Sequence, residues 1–185
     1  MAFTIDSIDF RTRWMRTRFP FKYGIAAMTE LPHVFVHVQA TVDGKRCEGL
    51  ASEGLPPKWF TKDPGTTFEQ DLPEMLKVIR HAAEAGTGIE AESVFAWWRA
   101  LYGAQDAWAV EIQAPPLLAH LGTSMIERAG IDAYCRGSGV PFAEAVRSNR
   151  FGVDLGTLHP ELAGSAPGDW LPEPAAHVIA RHTVG

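Results

Sequence analysis

The sequence predicts an α+β fold, in which a three-stranded antiparallel meander is followed by a bundle of three to four helices. Two observations support this prediction. Apolar and polar residues alternate in the first third of the chain, which is the period of a half-buried strand. In the middle of the chain, apolar residues recur at steps of three and four, which is the period of an amphipathic helix.

The composition limits the classes of function. The 185 residues are 46% hydrophobic and 21% charged, which is enough to bury one core. A net charge of -5 with scattered basic residues gives no track for a phosphate backbone, so we expect no nucleic-acid partner. No apolar run reaches the ~18 residues of a membrane span, and we expect a cytoplasmic protein. Cys47 and Cys135 lie in no metal-ligand spacing and are predicted to be reduced thiols.

The strands follow from the alternation. A first strand is predicted from about Thr4 to Arg18. Residues 33–42 alternate strictly and predict a second strand, and residues 45–53 predict a third. Between the last two lies Asp43-Gly44, a dipeptide suited to the positive φ angles of a tight hairpin turn.

The segment between the first and second strands contains Pro20, Gly24 and Pro32, which predict a long irregular loop over residues 19–31. Long loops within compact domains are often functional. This loop is therefore a candidate site.

Four helices are expected after the sheet. A capping box at Thr66–Glu69 opens the first, which ends at Gly86. The second begins at Ser93 and runs to about residue 102. The third follows Pro115-Pro116 and stops at Gly137 and Gly139, and a short fourth follows Pro141.

Two motifs carry a resemblance. The stretch SMIERAGIDAYCRGSGVPFAEAV, residues 124–146, has a small Ala129 before Asp132 and then Gly139-Val140-Pro141. The return of the hairpin reads GLASEGLPP, residues 49–57. In this order they resemble the amino-terminal capping domain of the enolase superfamily, in its mandelate racemase and muconate lactonizing enzyme branch. The resemblance covers roughly residues 1–150.

The resemblance implies a function. In that family the capping domain precedes a TIM barrel, and Val178–Gly185 resembles the first barrel strand. Residues 151–177 are then expected to form an irregular connection, which is longer than the usual pattern of the family. The family's catalytic bases and its acidic Mg²⁺ ligands lie on later strands. This chain is therefore expected to be a substrate-specificity domain that binds no cofactor itself and is inert alone. Its partner would be the barrel of an isomerase or lyase that abstracts a proton alpha to a carboxylate with Mg²⁺.

Four residues are candidates for substrate binding by this resemblance. Lys22 and Tyr23 lie in the first loop, which in the family closes over the barrel mouth, and Glu53 lies at the end of the third strand. His182 would lie near the active end of the first barrel strand. No catalytic residue is predicted, because the resemblance places the family's bases on later strands. No metal-binding residue is predicted either, because His33 and His37 share a strand face without an identifiable third ligand.

A second hypothesis is a stand-alone binding or interaction module without catalytic activity. The tail HVIARHTVG favours the capping domain, because an apolar strand edge is a pairing hazard for an independent module. With the barrel surface uncovered, we expect self-association or a homo-oligomer. The sequence leaves racemisation, dehydration and cycloisomerisation open.

Overall fold

The computed structural model describes residues 2–181, and it confirms the α+β fold. One antiparallel sheet has the strand order β1-β2-β3, and helices cover one of its faces. The strands are β1 (Phe3–Tyr23), β2 (Ala26–Val42) and β3 (Lys45–Gly54). The helices are α1 (Phe68–Gly86), α2 (Val94–Glu111), α3 (Pro116–Ser138), α4 (Phe142–Arg147) and α5 (Pro167–Trp170).

Where all three strands pair, over residues 3–13, 33–42 and 45–54, they form what we call the sheet base. The alternation predicted for β2 is confirmed, because its inward face is buried under the helices. The turn at Asp43-Gly44 has φ of 49° and 79°, as a tight hairpin of this kind requires. The buried face of β2 consists of Val34, Val36, Val38, Ala40 and Val42.

Beyond the sheet base only β1 and β2 continue, and residues 14–32 form what we call the distal hairpin. The prediction of an irregular loop over residues 19–31 is wrong, since both strands continue to a two-residue turn at Gly24-Ile25. Pro20 is tolerated because it lies in a bulge of an edge strand, where the register shifts between Arg16 and Phe21. Pro32 lies opposite Trp14 and accepts a hydrogen bond from the amide of Leu55.

The helices begin close to the predicted positions. The cap of α1 lies one residue later than predicted, because Gln70 rather than Glu69 accepts from the amide of Thr67 at 2.8 Å. The hydroxyl of Ser93 accepts from the amide of Ala96 at 2.9 Å, and α2 is nine residues longer than predicted, ending at 111 instead of about 102. The third helix ends as predicted, with Gly139 in the left-handed conformation at φ 69°.

Close approach between α3 and the sheet base builds the core. A Cβ on Gly49 of β3 would lie 2.2 Å from the carbonyl oxygen of Ala129 on α3, so only glycine permits this spacing. At the other end of the sheet, Trp97 is fully buried and packs edge-on against Phe3 at 5.4 Å. Its indole N–H donates to the carbonyl of Gly86 at 2.9 Å, which ties α2 to the end of α1.

The segment after α4 is mostly irregular, as predicted. Phe151 is buried and accepts a hydrogen bond from the amide of Phe95 at 3.0 Å, which holds the start of this segment on α2. Residues 171–181 contain no helix or strand, and the apolar side chains of Val178 and Ile179 are 88% and 93% exposed. The predicted barrel strand is therefore not seen over residues 178–181. Its remainder, residues 182–185, lies outside the described residues.

Candidate functional site

A groove of about 560 Å³ lies where three parts of the chain meet. The distal hairpin forms one wall, and the loop after β3 forms the other. One face of α3 forms the floor. The groove is thus built from the end of the sheet that lacks a third strand.

Tyr23 joins the two walls of the groove. Its phenol O–H donates to the carbonyl oxygen of Pro57 across 2.6 Å, and its ring packs edge-on against Trp59 at 5.6 Å. Phe21 continues the aromatic surface, with its centroid 5.7 Å from that of Tyr23. Burial raises the pKa of Tyr23, which keeps the phenol protonated and able to donate.

Lys58 anchors the loop that carries Trp59. Its Nζ lies 2.8 Å from Oδ2 of Asp71, 2.5 Å from Oγ1 of Thr66 and 2.7 Å from the carbonyl oxygen of Asp63. Both charged side chains are largely buried, at 12% and 5% exposure, so the pair fixes the loop against the start of α1. Lys58 adopts φ of 57°, a left-handed conformation uncommon for a residue with a side chain.

The floor of the groove combines apolar and ionic groups. The guanidinium of Arg128 on α3 lies 3.1 Å from Oε2 of Glu53 and also donates to the carbonyl of Ser52 at 3.3 Å. His120 stacks on Tyr102 with ring centroids 4.1 Å apart. Arg128 and Glu53, the charged groups that pair on the floor, are therefore already neutralised within the chain.

The predicted site residues have different outcomes. Tyr23 and Glu53 line the groove together, although they are 30 positions apart in the sequence. Lys22 is exposed on the distal hairpin and does not line the groove. His182 lies outside the described residues.

The contribution of α3 to the groove was not predicted from the sequence. Leu117, His120, Leu121, Ser124 and Arg128 all line the groove. Their spacing of three, one, three and four residues places them on one helical face, and this stripe is visible in the sequence. It was missed because Leu121 belongs equally to the buried stripe, so the apolar periodicity alone predicts only core packing.

The described residues do not fit a metal ion. Across residues 2–181, no group of three or more His, Cys, Asp or Glu side chains is arranged to hold one. His37 instead contacts Glu48, with Nε2 and Oε2 3.0 Å apart. None of the helices within residues 2–181 is both long and apolar enough to cross a membrane.

No family model and no curated protein matches this chain. Solved structures do match it. A mandelate racemase/muconate lactonizing enzyme-like protein from Rubrobacter xylanophilus has a TM-score of 0.51 and 16% identity over 78% of this chain. An enolase from alpha proteobacterium BAL199, with bound magnesium, has a TM-score of 0.52 and 13% identity over 76% of this chain.

The chain has the fold of the enolase N-terminal domain. This confirms the fold that the sequence motifs led us to expect. The chain spans about a third of the length of these structures, since it covers 33% of each. In this chain, the groove lies between the distal hairpin, the loop after β3 and α3.

Proposed function

We propose that this chain is the capping and substrate-specificity domain of an enolase-superfamily enzyme. The observation that supports this most is the groove itself. By the resemblance, the segments 19–31 and 52–60 would close over the barrel mouth, and in this chain they meet through the hydrogen bond from Tyr23 to Pro57. Two loops tied together in this way move as one cover, which suits the exclusion of water from a reacting centre.

In the complete enzyme, the proposed reaction is abstraction of the proton alpha to a carboxylate. Mg²⁺ would stabilise the resulting enediolate from the barrel, as the bound magnesium in the related enolase suggests. Residues 1–150 form the cap in this proposal, and residues 151–185 lead to the barrel. The residues of this chain would bind and orient the part of the substrate distant from the reacting carbon.

Lys22 keeps its proposed role in substrate binding, and His182 keeps its proposed role near the active end of the first barrel strand. Lys22 is exposed on the distal hairpin and presents a point charge that an anionic substrate can approach. Glu53 is held by Arg128 at 3.1 Å and would border the substrate as a neutralised pair. The barrel is the proposed main partner, and self-association is proposed when its docking surface is uncovered.

The test is the intact mass of the natural gene product together with exchange of alpha protons in deuterated water. A panel of carboxylic acids with Mg²⁺ should show exchange with a product of about twice the 20.3 kDa of this chain. A natural product of 20.3 kDa without exchange would contradict the proposal and support a stand-alone binding module.

Variants locate the cap within that enzyme. Trp59→Ala should change the ratio of kcat/KM between good and poor acids by about tenfold, because it removes one wall of the groove. Trp170→Ala, an exposed tryptophan outside the groove, should leave that ratio unchanged. Equal effects of the two variants would argue against a specificity role for the groove.

A further inference from the structure

We propose that the groove takes an aryl or branched-alkyl substituent of the substrate, so that the substrate is an apolar carboxylate rather than a polyhydroxylated one. This inference rests on the proposed function and specifies its substrate class. The walls and floor present mostly aromatic and aliphatic side chains to the cavity. Those that define its surface are Phe21, Tyr23, Met28, Trp59, Phe60 and Leu117.

The ionisable side chains in the groove already have partners in the chain. Tyr23 donates to Pro57, and Arg128 pairs with Glu53. For His120, Nδ1 lies 3.1 Å from Oγ1 of Thr123, and Nε2 lies 3.6 Å from Oδ1 of Asp106. A polyhydroxylated substituent would therefore lose its water here without gaining a matching set of hydrogen bonds, which costs free energy for each hydroxyl.

The polar groups that remain are few. The hydroxyl of Ser124 and the indole N–H of Trp59 belong to side chains exposed to solvent. They provide two hydrogen-bonding groups in a groove of about 560 Å³. An apolar cavity of ~150 Å³ is enough to bind benzene, so the groove has room for a substituted ring.

The ionic pair on the floor also fixes the direction of the substrate. Since Glu53 offsets the charge of Arg128, the floor gives no net positive charge to the substrate carboxylate. The carboxylate therefore gains no ion pair by entering the groove, and we expect the apolar substituent to occupy it instead. In that arrangement the groove contacts the substituent and not the carboxylate.

The test compares carboxylates that share one group at the alpha carbon and differ in the distal group. The natural gene product should exchange the alpha proton of phenyl and cyclohexyl acids with kcat/KM at least tenfold above that of a polyhydroxyalkyl acid. Leu117→Asn should lower kcat/KM for the phenyl acid by about tenfold and change the value for the polyhydroxyalkyl acid less. A preference for the polyhydroxyalkyl acid would overturn the inference while leaving the proposed function intact.

Leu50→Asn is the matched control. Leu50 is 53% exposed on the sheet and Leu117 is 58% exposed on α3, so both variants replace a similarly exposed leucine. Only Leu117 lines the groove, and only its substitution should affect the phenyl acid. Equal effects of the two variants would overturn the inference.

A binding measurement separates this inference from the proposed function. The phenyl acid should quench tryptophan fluorescence in the natural gene product, and the quenching should be lost in Trp59→Phe. If no acid exchanges its alpha proton, the proposed function fails, but selective quenching by apolar acids would still support the apolar groove. If the phenyl acid causes no quenching, or if the polyhydroxyalkyl acid quenches equally, the groove does not select apolar substituents. The inference is then wrong.

Discussion

The sheet base and the distal hairpin share strands β1 and β2, yet they are stabilised by different contacts. In the sheet base, β1 and β2 pair beside β3 under α3, and Val36 and Val38 are fully buried. The distal hairpin has no third strand, and Phe19 on it is 69% exposed. Its stability therefore depends on a few specific contacts with the loop after β3. The pairing of β1 with β2 thus continues beyond the part of the sheet whose side chains are buried under the helices.

The largest expected effect comes from the ionic anchor of that loop. Lys58→Met should lower the free energy of unfolding by about 3 kcal/mol, because it leaves the buried carboxylate of Asp71 without its charged partner. Urea denaturation measures this change. The double variant Lys58→Met/Asp71→Leu should recover most of the loss, since the unpaired charge is then gone. If Lys58→Met is as stable as the wild type, the pair of Lys58 and Asp71 does not anchor the loop.

The sheet base should respond to overpacking. Gly49→Ala places a methyl group against the backbone of α3 and should lower the free energy of unfolding by about 2 kcal/mol. The matched control is Gly103→Ala on the exposed face of α2, where no atom lies within 4 Å of the new Cβ. It should stabilise the chain by about 0.5 kcal/mol through helix propensity. If both variants change the free energy of unfolding in the same direction, close packing against α3 does not decide stability at Gly49.

A smaller and local effect is expected at the distal hairpin. Tyr23→Phe removes the hydrogen bond to Pro57, worth about 1 kcal/mol. Amide hydrogen exchange over residues 14–32 should become about fivefold faster, while exchange in the sheet base stays the same. Tyr102→Phe, where the ring stacks on His120, is the control. Faster exchange in both regions would mean that they unfold as one unit.

The smallest effect concerns Glu127, which lies on α3 away from both regions. Burial raises the pKa of its carboxyl group, against the lowering effects of a hydrogen bond from Trp98 and the charge of Arg128. The folded state then binds the proton more tightly than the unfolded state, so wild-type stability falls as pH rises from the ordinary carboxyl pKa through the raised pKa. Glu127→Gln cannot titrate, and its stability relative to wild type should rise over that window. If the difference in stability between Glu127→Gln and the wild type does not change with pH, this prediction is wrong.

Sequence reasoning worked best where a single period decides the structure. The inward face of β2, the turn at Asp43-Gly44 and the glycine end of α3 all follow from local rules. It failed at residues 19–31, because Pro20 and Pro32 predict a break only when every backbone amide is needed for pairing. On an edge strand with a bulge, that condition does not hold.

Only part of the candidate site was found from the sequence. Tyr23 and Glu53 were identified by resemblance, while the stripe of α3 that faces them was missed. Distance along the chain explains this, because 75 residues separate Glu53 from Arg128 and no local pattern records their pairing. Lys22 neighbours Tyr23 in sequence but is placed outside the groove, since successive residues of a strand point in opposite directions.

Periodicity and turn chemistry are local properties, so they were enough to predict the fold class, the order of the elements and the buried face of the central strand. The paired hairpin at the segment with two prolines, and the groove shared by Tyr23, Trp59 and Arg128, became visible only in the folded chain. Those results depend on where α3 and the loop after β3 pack. Packing joins residues that no local rule connects.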